Sequence, residues 1–185
     1  APDADYATLY ASDGARHVIL PEANPTLGSL VDAETDGQPS LDATGDDSAG
    51  TPDDEDGITF DTPLVPGEVA TLTVSAAESS DGVLNAWVDF GGDGDWSEPV
   101  DQIAADLPIA AGGSEILTFT VPADAVQDLT YARFRFSIDS GLTPTGLAPD
   151  GEIEDYAVSI RELDYGDAPD ADYATLYASD GARHV

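Results

Sequence analysis

The sequence predicts an all-β protein, an antiparallel β-sandwich with long acidic loops. Three observations lead there. Apolar and polar residues alternate along several short segments, no segment sustains a helical stripe, and clusters of Gly, Pro, Asp and Ser separate the alternating runs. At least six strands are expected on this pattern.

The segment "VATLTVSA" alternates from Val69 onward. In "LNAWVDF", Leu84, Ala86, Val88 and Phe90 form one face, which leaves Trp87 on the other, either exposed or covered by a loop; the plainer expectation packs it under the acidic loop, with Trp96 lidding the turn at Asp89. "EILTFTV" repeats the rhythm. In "TYARFRFSI", Ala132, Phe134, Phe136 and Ile138 point one way while Tyr131, Arg133, Arg135 and Ser137 point the other. The two arginines are expected to form exposed salt bridges of small energetic weight. "DYAVSI" supplies the last strand. β-Branched and aromatic residues throughout these runs agree with the assignment.

An exact repeat frames the chain. "APDADYATLYASDGARHV" stands at residues 1–18 and again at 168–185, so that Ala1 recurs as Ala168 at an offset of 167. Such repetition suggests a window on a tandem array, with residues 1–163 as one unit and 164–185 as the junction and start of the next identical copy. A unit of this size is large enough to bury a core.

Charge is the dominant compositional feature: 38 Asp and Glu against five Arg and no Lys, a formal net charge of −33. That surface repels nucleic acid and anionic membranes, so neither is an expected partner. With 41% apolar residues the chain is nevertheless too hydrophobic for a disordered acidic tail. Bound cations or a saline medium would relieve the self-repulsion. Cysteine is absent, which removes disulfides and thiol chemistry. There is no apolar run long enough to span a bilayer.

Four acidic runs are candidate cation sites. "DFGGDGDWSE" resembles an EF-hand loop, with Asp89 at its first position, Asp93 at its fifth and a turning glycine, Gly94, at its sixth; Asp95 follows. Gly91 supplies no ligand at the third position and Val100 none at the twelfth. "GDDSAGTPDDEDG" holds Asp46, Asp47, Asp53, Asp54 and Asp56, and ends a stretch from Pro21 to Gly57 with eleven acids and no base. A structureless loop of that length is either disordered or ordered by some agent, and for carboxylates that agent is a cation. "PDGEIEDY" contributes Glu152, Glu154 and Asp155, and "LDYGDAPD" contributes Asp164 and Asp167 at the junction. Crowded carboxylates suppress one another's ionisation unless a cation neutralises them. Hard oxygen ligands on flexible loops suit Ca²⁺, several ions of it.

The motifs "LDYGDAPDADYATL", "LGSLVDAETDGQPS", "ATGDDSAGTPDDEDGITF", "AWVDFGGDGDWSE", "ARFRFS" and "APDGEIEDY", in this order around the 167-residue repeat, resemble the GEVED domain family, whose signature stands here as "GEIED". The likeness covers most of the 167-residue unit. It implies an all-β domain with calcium among its acidic loops, from large, repetitive, secreted bacterial surface proteins. Identical tandem copies are also similar to the extender region of repeats-in-toxin adhesins, in which calcium stiffens a stalk. The family pattern has Asn where Gly91 stands, so this copy lacks one side-chain ligand.

The expected function is therefore a calcium-stabilised extender of a cell-surface adhesin, monomeric in isolation, with neighbouring identical repeats as partners and no small-molecule substrate. A catalytic role finds little support: each repeat holds one histidine (His17, recurring as His184), no cysteine, and no serine in a nucleophile-elbow setting. The rival reading is a carbohydrate-binding sandwich that uses Trp87, Trp96 and tyrosines as stacking platforms. It requires those rings to be exposed together on one surface.

Overall fold

The computed structural model describes residues 1–45 and 54–185. Asp46, Asp47 and Asp53, expected among the calcium ligands, lie outside the described residues.

Among the described residues the regular structure is β, apart from two single 3₁₀ turns at Tyr10–Ser12 and Tyr177–Ser179. In chain order the strands are β1 (Arg16–His17), β2 (Ile58–Phe60), β3 (Val69–Ser75), β4 (Gly82–Val88), β5 (Gln102–Ile109), β6 (Ser114–Thr120), β7 (Leu129–Ser137), β8 (Leu147–Ala148), β9 (Glu152–Ser159), β10 (Asp164–Tyr165) and β11 (Arg183–His184). Two antiparallel sheets dominate, a three-stranded one in the order β2-β3-β6 and a four-stranded one in the order β5-β4-β7-β9. A short parallel pair, β1 with β8, departs from the antiparallel rule.

The sheets face each other across one apolar core. Ala70, Leu72 and Val74 of β3 meet Leu84, Ala86 and Val88 of β4 and Phe134 and Phe136 of β7. Register keeps these residues on one face, since Leu84 pairs with Phe136, Ala86 with Phe134 and Val88 with Ala132. Each fully buried Leu or Phe here contributes roughly 1.5–3 kcal/mol of hydrophobic stabilisation. The alternation in "TYARFRFSI" thus gives the correct inward face, except that Ile138 lies beyond β7 and is exposed.

The other face of the four-stranded sheet is covered, which for Arg133 and Arg135 differs from expectation. Residues 1–18 and the segment around Ala43 lie over it and enclose a second apolar cluster of Ala1, Tyr6, Ala43, Trp87, Trp96 and Tyr131. Arg133 and Arg135 are consequently buried, each only 1% exposed, rather than placed on an open surface. The Arg133 guanidinium forms two 2.7 Å bonds to Asp155 and lies 4.5 Å from the Trp96 ring centre. Arg135 donates to the carbonyls of Thr143, Thr145 and Gly146 and to His17 Nε2. Alternation correctly placed these side chains opposite the core, but period two does not report whether a second layer covers that face.

The segment that follows Pro21 is pinned by more than charge. Leu27 is fully buried in the main core, and the Asn24 side chain bonds both the N–H and the carbonyl of Gly151. Ordinary apolar burial and amide hydrogen bonds therefore order part of a stretch for which the sequence suggested cations alone.

Candidate metal centre

The acidic loop between β4 and β5 begins at Asp89, which is 0% exposed. Such a carboxylate needs compensating donors, and it has three. Tyr6 donates its hydroxyl to Oδ2 at 2.6 Å, the Gly94 N–H reaches Oδ2 at 3.1 Å, and the Gly92 N–H reaches Oδ1 at 2.6 Å. The loop can fold back over Asp89 because Gly92 and Gly94 take φ values of +62° and +94°.

Asp101 closes the loop beside Asp89 and is 1% exposed. Its Oδ1 accepts the Phe90 N–H at 3.0 Å, while its Oδ2 is buried with no hydrogen-bond partner. Burial, and then the neighbouring Asp89 charge, push this carboxyl up to about 7. At the mouth of the loop Asp93, Asp95 and Glu98 present oxygens within 4.8 Å of one another. Bonds from the Ser97 hydroxyl and N–H hold Asp95 below its ordinary value, in its charged form. The structure thus gathers Asp93 and Asp95 with Glu98, and sets Asp89 deeper, beside Asp101.

Gly91 lies between the two levels. A Cβ at this position would stand 3.6 Å from Asp89 Oδ1 and 3.7 Å from Asp93 Oδ2. A side chain at this position would therefore project between the two carboxylates.

The glutamates of "GEIED" form a second buried acidic group. On β9, Glu152 and Glu154 occupy the core-side face, paired with Phe136 and Phe134. Glu152 is 3% exposed; its Oε2 accepts the Leu27 N–H at 2.5 Å and its Oε1 has no partner. Glu154 is 1% exposed and accepts the Gly57 N–H at 2.9 Å and the Tyr156 hydroxyl at 3.1 Å. Burial, then Glu154 and the nearby Asp54 and Asp56, raise Glu152 to about 10. Burial above all raises Glu154 to about 8. Asp54 accepts the Asp32 N–H, and Asp56 accepts the Ser29 N–H and hydroxyl. A cleft of about 510 Å³ reaches this group through Asp32, Asp54 and Glu152.

The two glutamates have a clear structural task. Leu27 and Gly57 bound the acidic stretch, and Glu152 and Glu154 fasten its two ends to one strand. The ends pass so closely that a Cβ on Gly57 would lie 2.5 Å from Leu27 Cβ and 2.7 Å from the Gly28 nitrogen.

The remaining expected ligands lie elsewhere. Both oxygens of Asp155 are bonded to Arg133. Burial pulls that carboxyl upward, but the Arg133 charge and bonds outweigh it and leave it below its ordinary value. Asp164 and Asp167 are exposed in the C-terminal segment. Asp101 and Glu98 did not emerge from the sequence template. Counting from Asp89, the EF-hand pattern ends at Val100, one residue short of Asp101.

Residues 83–159 match the family model of the GEVED domain. That span runs from β4 to the end of β9, and so contains both the Asp89–Asp101 loop and the "GEIED" glutamates. No curated protein matches the chain.

Proposed function

We propose that this chain is a calcium-stabilised extender domain of a tandemly repeated, secreted bacterial surface adhesin, which stiffens a stalk that carries a distal binding region. One observation supports the calcium part above the rest. Asp101 Oδ2 is buried without a donor near the buried Asp89, in the loop that also carries the exposed Asp93, Asp95 and Glu98 oxygens. A hard divalent cation in this loop supplies what the buried oxygen lacks and neutralises the exposed group. Extracellular calcium modules typically bind with Kd of about 10⁻⁴ to 10⁻³ M, which sets the loop empty in cytosol and filled outside the cell.

The extender reading rests on the exact repeat, whose natural output is length. It is also supported by the state of the repeat's histidine. Burial, then the Arg135 charge, push His17 down to about 3, and its ring is fixed between Arg135 and the Asp150 carbonyl. As a neutral, doubly bonded ring it serves packing and not proton transfer. The sugar-binding alternative loses its two tryptophan platforms, because Trp87 and Trp96 are 3% and 5% exposed.

The test is a thermal melt in millimolar calcium against EDTA, at fixed ionic strength and with a magnesium control. A calcium-specific rise of about 3–6 °C per site is expected once the ion exceeds its Kd about tenfold. Coincident melts in calcium and EDTA would overturn the reading.

A further inference from the structure

The two copies of the repeated segment have the same internal fold but different surroundings. In the first copy Asp3 Oδ1 accepts the N–H groups of Thr8 and Leu9 and the Ser12 hydroxyl. In the second, Asp170 Oδ1 accepts the equivalent N–H groups of Thr175 and Leu176 and the Ser179 hydroxyl. Asp13 and Asp180 end the two 3₁₀ turns at φ +56° and +55°. The segment therefore adopts this shape largely on its own.

What differs is what it covers. Tyr6 is 5% exposed and Ala1 4%, whereas Tyr173 is 65% exposed and Ala168 lies open. The first copy satisfies groups that are costly to leave bare. Tyr6 caps Asp89, the Ala7 carbonyl accepts from Arg133, and His17 accepts from Arg135. β1 also adds to β8 through the Arg16 and Val18 N–H groups. The second copy touches its own domain only lightly. Tyr177 bonds the Gly67 carbonyl, Arg183 pairs with Glu68, and β11 pairs with β10. Tyr173 and His184, the counterparts of Tyr6 and His17, face outward.

We infer that residues 168–185 of one molecule are a ligand for the seat that residues 1–18 occupy on a second copy of this chain. The sequence identity makes the fit complete, and the seat's buried arginines and Asp89 provide the drive. In the intact chain the first copy holds the seat, because its attachment gives it a high effective concentration. Weakening the first copy alone hands the seat to another molecule's second copy. The contact is head-to-tail, so it grows into rings or longer assemblies and does not stop at a symmetric dimer. The inference rests on the packing of residues 1–18 and is independent of calcium.

The experiment uses the full chain in EDTA, followed by sedimentation velocity over a concentration series. Wild type is expected to stay monomeric, Tyr6→Ala to associate with rising concentration, and the double variant Tyr6→Ala/Tyr173→Ala to return to monomer. A folded Tyr6→Ala that stays monomeric, or a double variant that associates equally, overturns the inference. Should Tyr6→Ala fail to fold, Tyr6→Phe keeps the ring and removes only the bond to Asp89. A labelled peptide with the sequence of residues 168–185 is then expected to bind Tyr6→Phe about tenfold or more tighter than wild type. Equal binding by a peptide in which the tyrosine at the Tyr173 position is changed to alanine overturns the inference as well.

Discussion

The Tyr6 hydroxyl donates to Asp89 Oδ2 at 2.6 Å across 83 residues of sequence. This bond fastens the first segment of the chain to the acidic loop, so order in one supports order in the other. Burial first, and the bond to Asp89 second, raise the phenol well above its ordinary value, which keeps it a donor through the neutral range. Tyr6→Phe removes that single bond to a charged acceptor. The expected loss is about 1.5–3 kcal/mol, read from the urea midpoint at unchanged m-value.

Asp101→Asn separates the two roles of the loop. Without calcium the substitution removes a buried carboxyl from beside Asp89, and stability in EDTA rises by roughly 1 kcal/mol. The same change takes away a ligand oxygen, so the melting shift produced by calcium shrinks to near zero. A variant that lost stability in EDTA and kept the full calcium shift would contradict the placement of the ion.

Gly91→Asn fills the space between Asp89 Oδ1 and Asp93 Oδ2 with an amide oxygen. Gly91 is not among the glycines with positive φ, so the backbone admits a side chain. Calcium affinity is expected to increase roughly tenfold with the added ligand, measured by titration calorimetry.

The clasp glutamates give the calcium-free protein a distinctive pH dependence. Folded Glu152 and Glu154 titrate near 10 and 8 against an ordinary value of 4.5, so the folded state holds protons that the unfolded chain has released. Stability from these groups therefore falls as pH rises through that window. His17 works in the opposite sense. Its folded value of about 3 against an ordinary 6.5 means that its contribution is lost as pH falls through that range, and it has no effect above it. Between pH 6.5 and 8 the glutamates dominate, and stability in EDTA declines by on the order of 1 kcal/mol per pH unit for each. Glu154→Gln should make the decline shallower in urea titrations repeated across this range.

Leu27→Ala tests the core anchor of the acidic stretch. Leu27 is 0% exposed, and its truncation is expected to lower stability by about 2–5 kcal/mol. Hydrogen exchange at the Gly57 amide, which Glu154 holds at the other end, should quicken with it.

Strand alternation made the sandwich legible in the sequence, and it located the inward faces of β4 and β7 correctly. It could not reveal the layer formed by residues 1–18, because a short irregular segment has no period and the partners that Tyr6, Ala7 and His17 reach lie 83 to 133 residues away. Arg133 and Arg135 therefore read as surface charges, although they are buried. The loop at Asp89 was visible from its spacing, whereas Asp101 was hidden by a template one residue too short. Glu152 and Glu154 were visible as acids. Their i, i+2 spacing within the run that continues to Tyr156 and Val158 already places all four on one strand face, which was the available signal for their burial.

The clasp at Leu27 and Gly57 also makes the length of the stretch between them, though not its packing at Leu41 and Ala43, independent of the sandwich in design terms. Both stem residues are fixed to β9, so the stretch between them can change length without shifting the register of any strand in the two main sheets. Each doubling of such a loop adds only about 0.6 kcal/mol of closure entropy. The clasp is therefore a natural grafting point, where a foreign peptide can be displayed on a rigid β-scaffold.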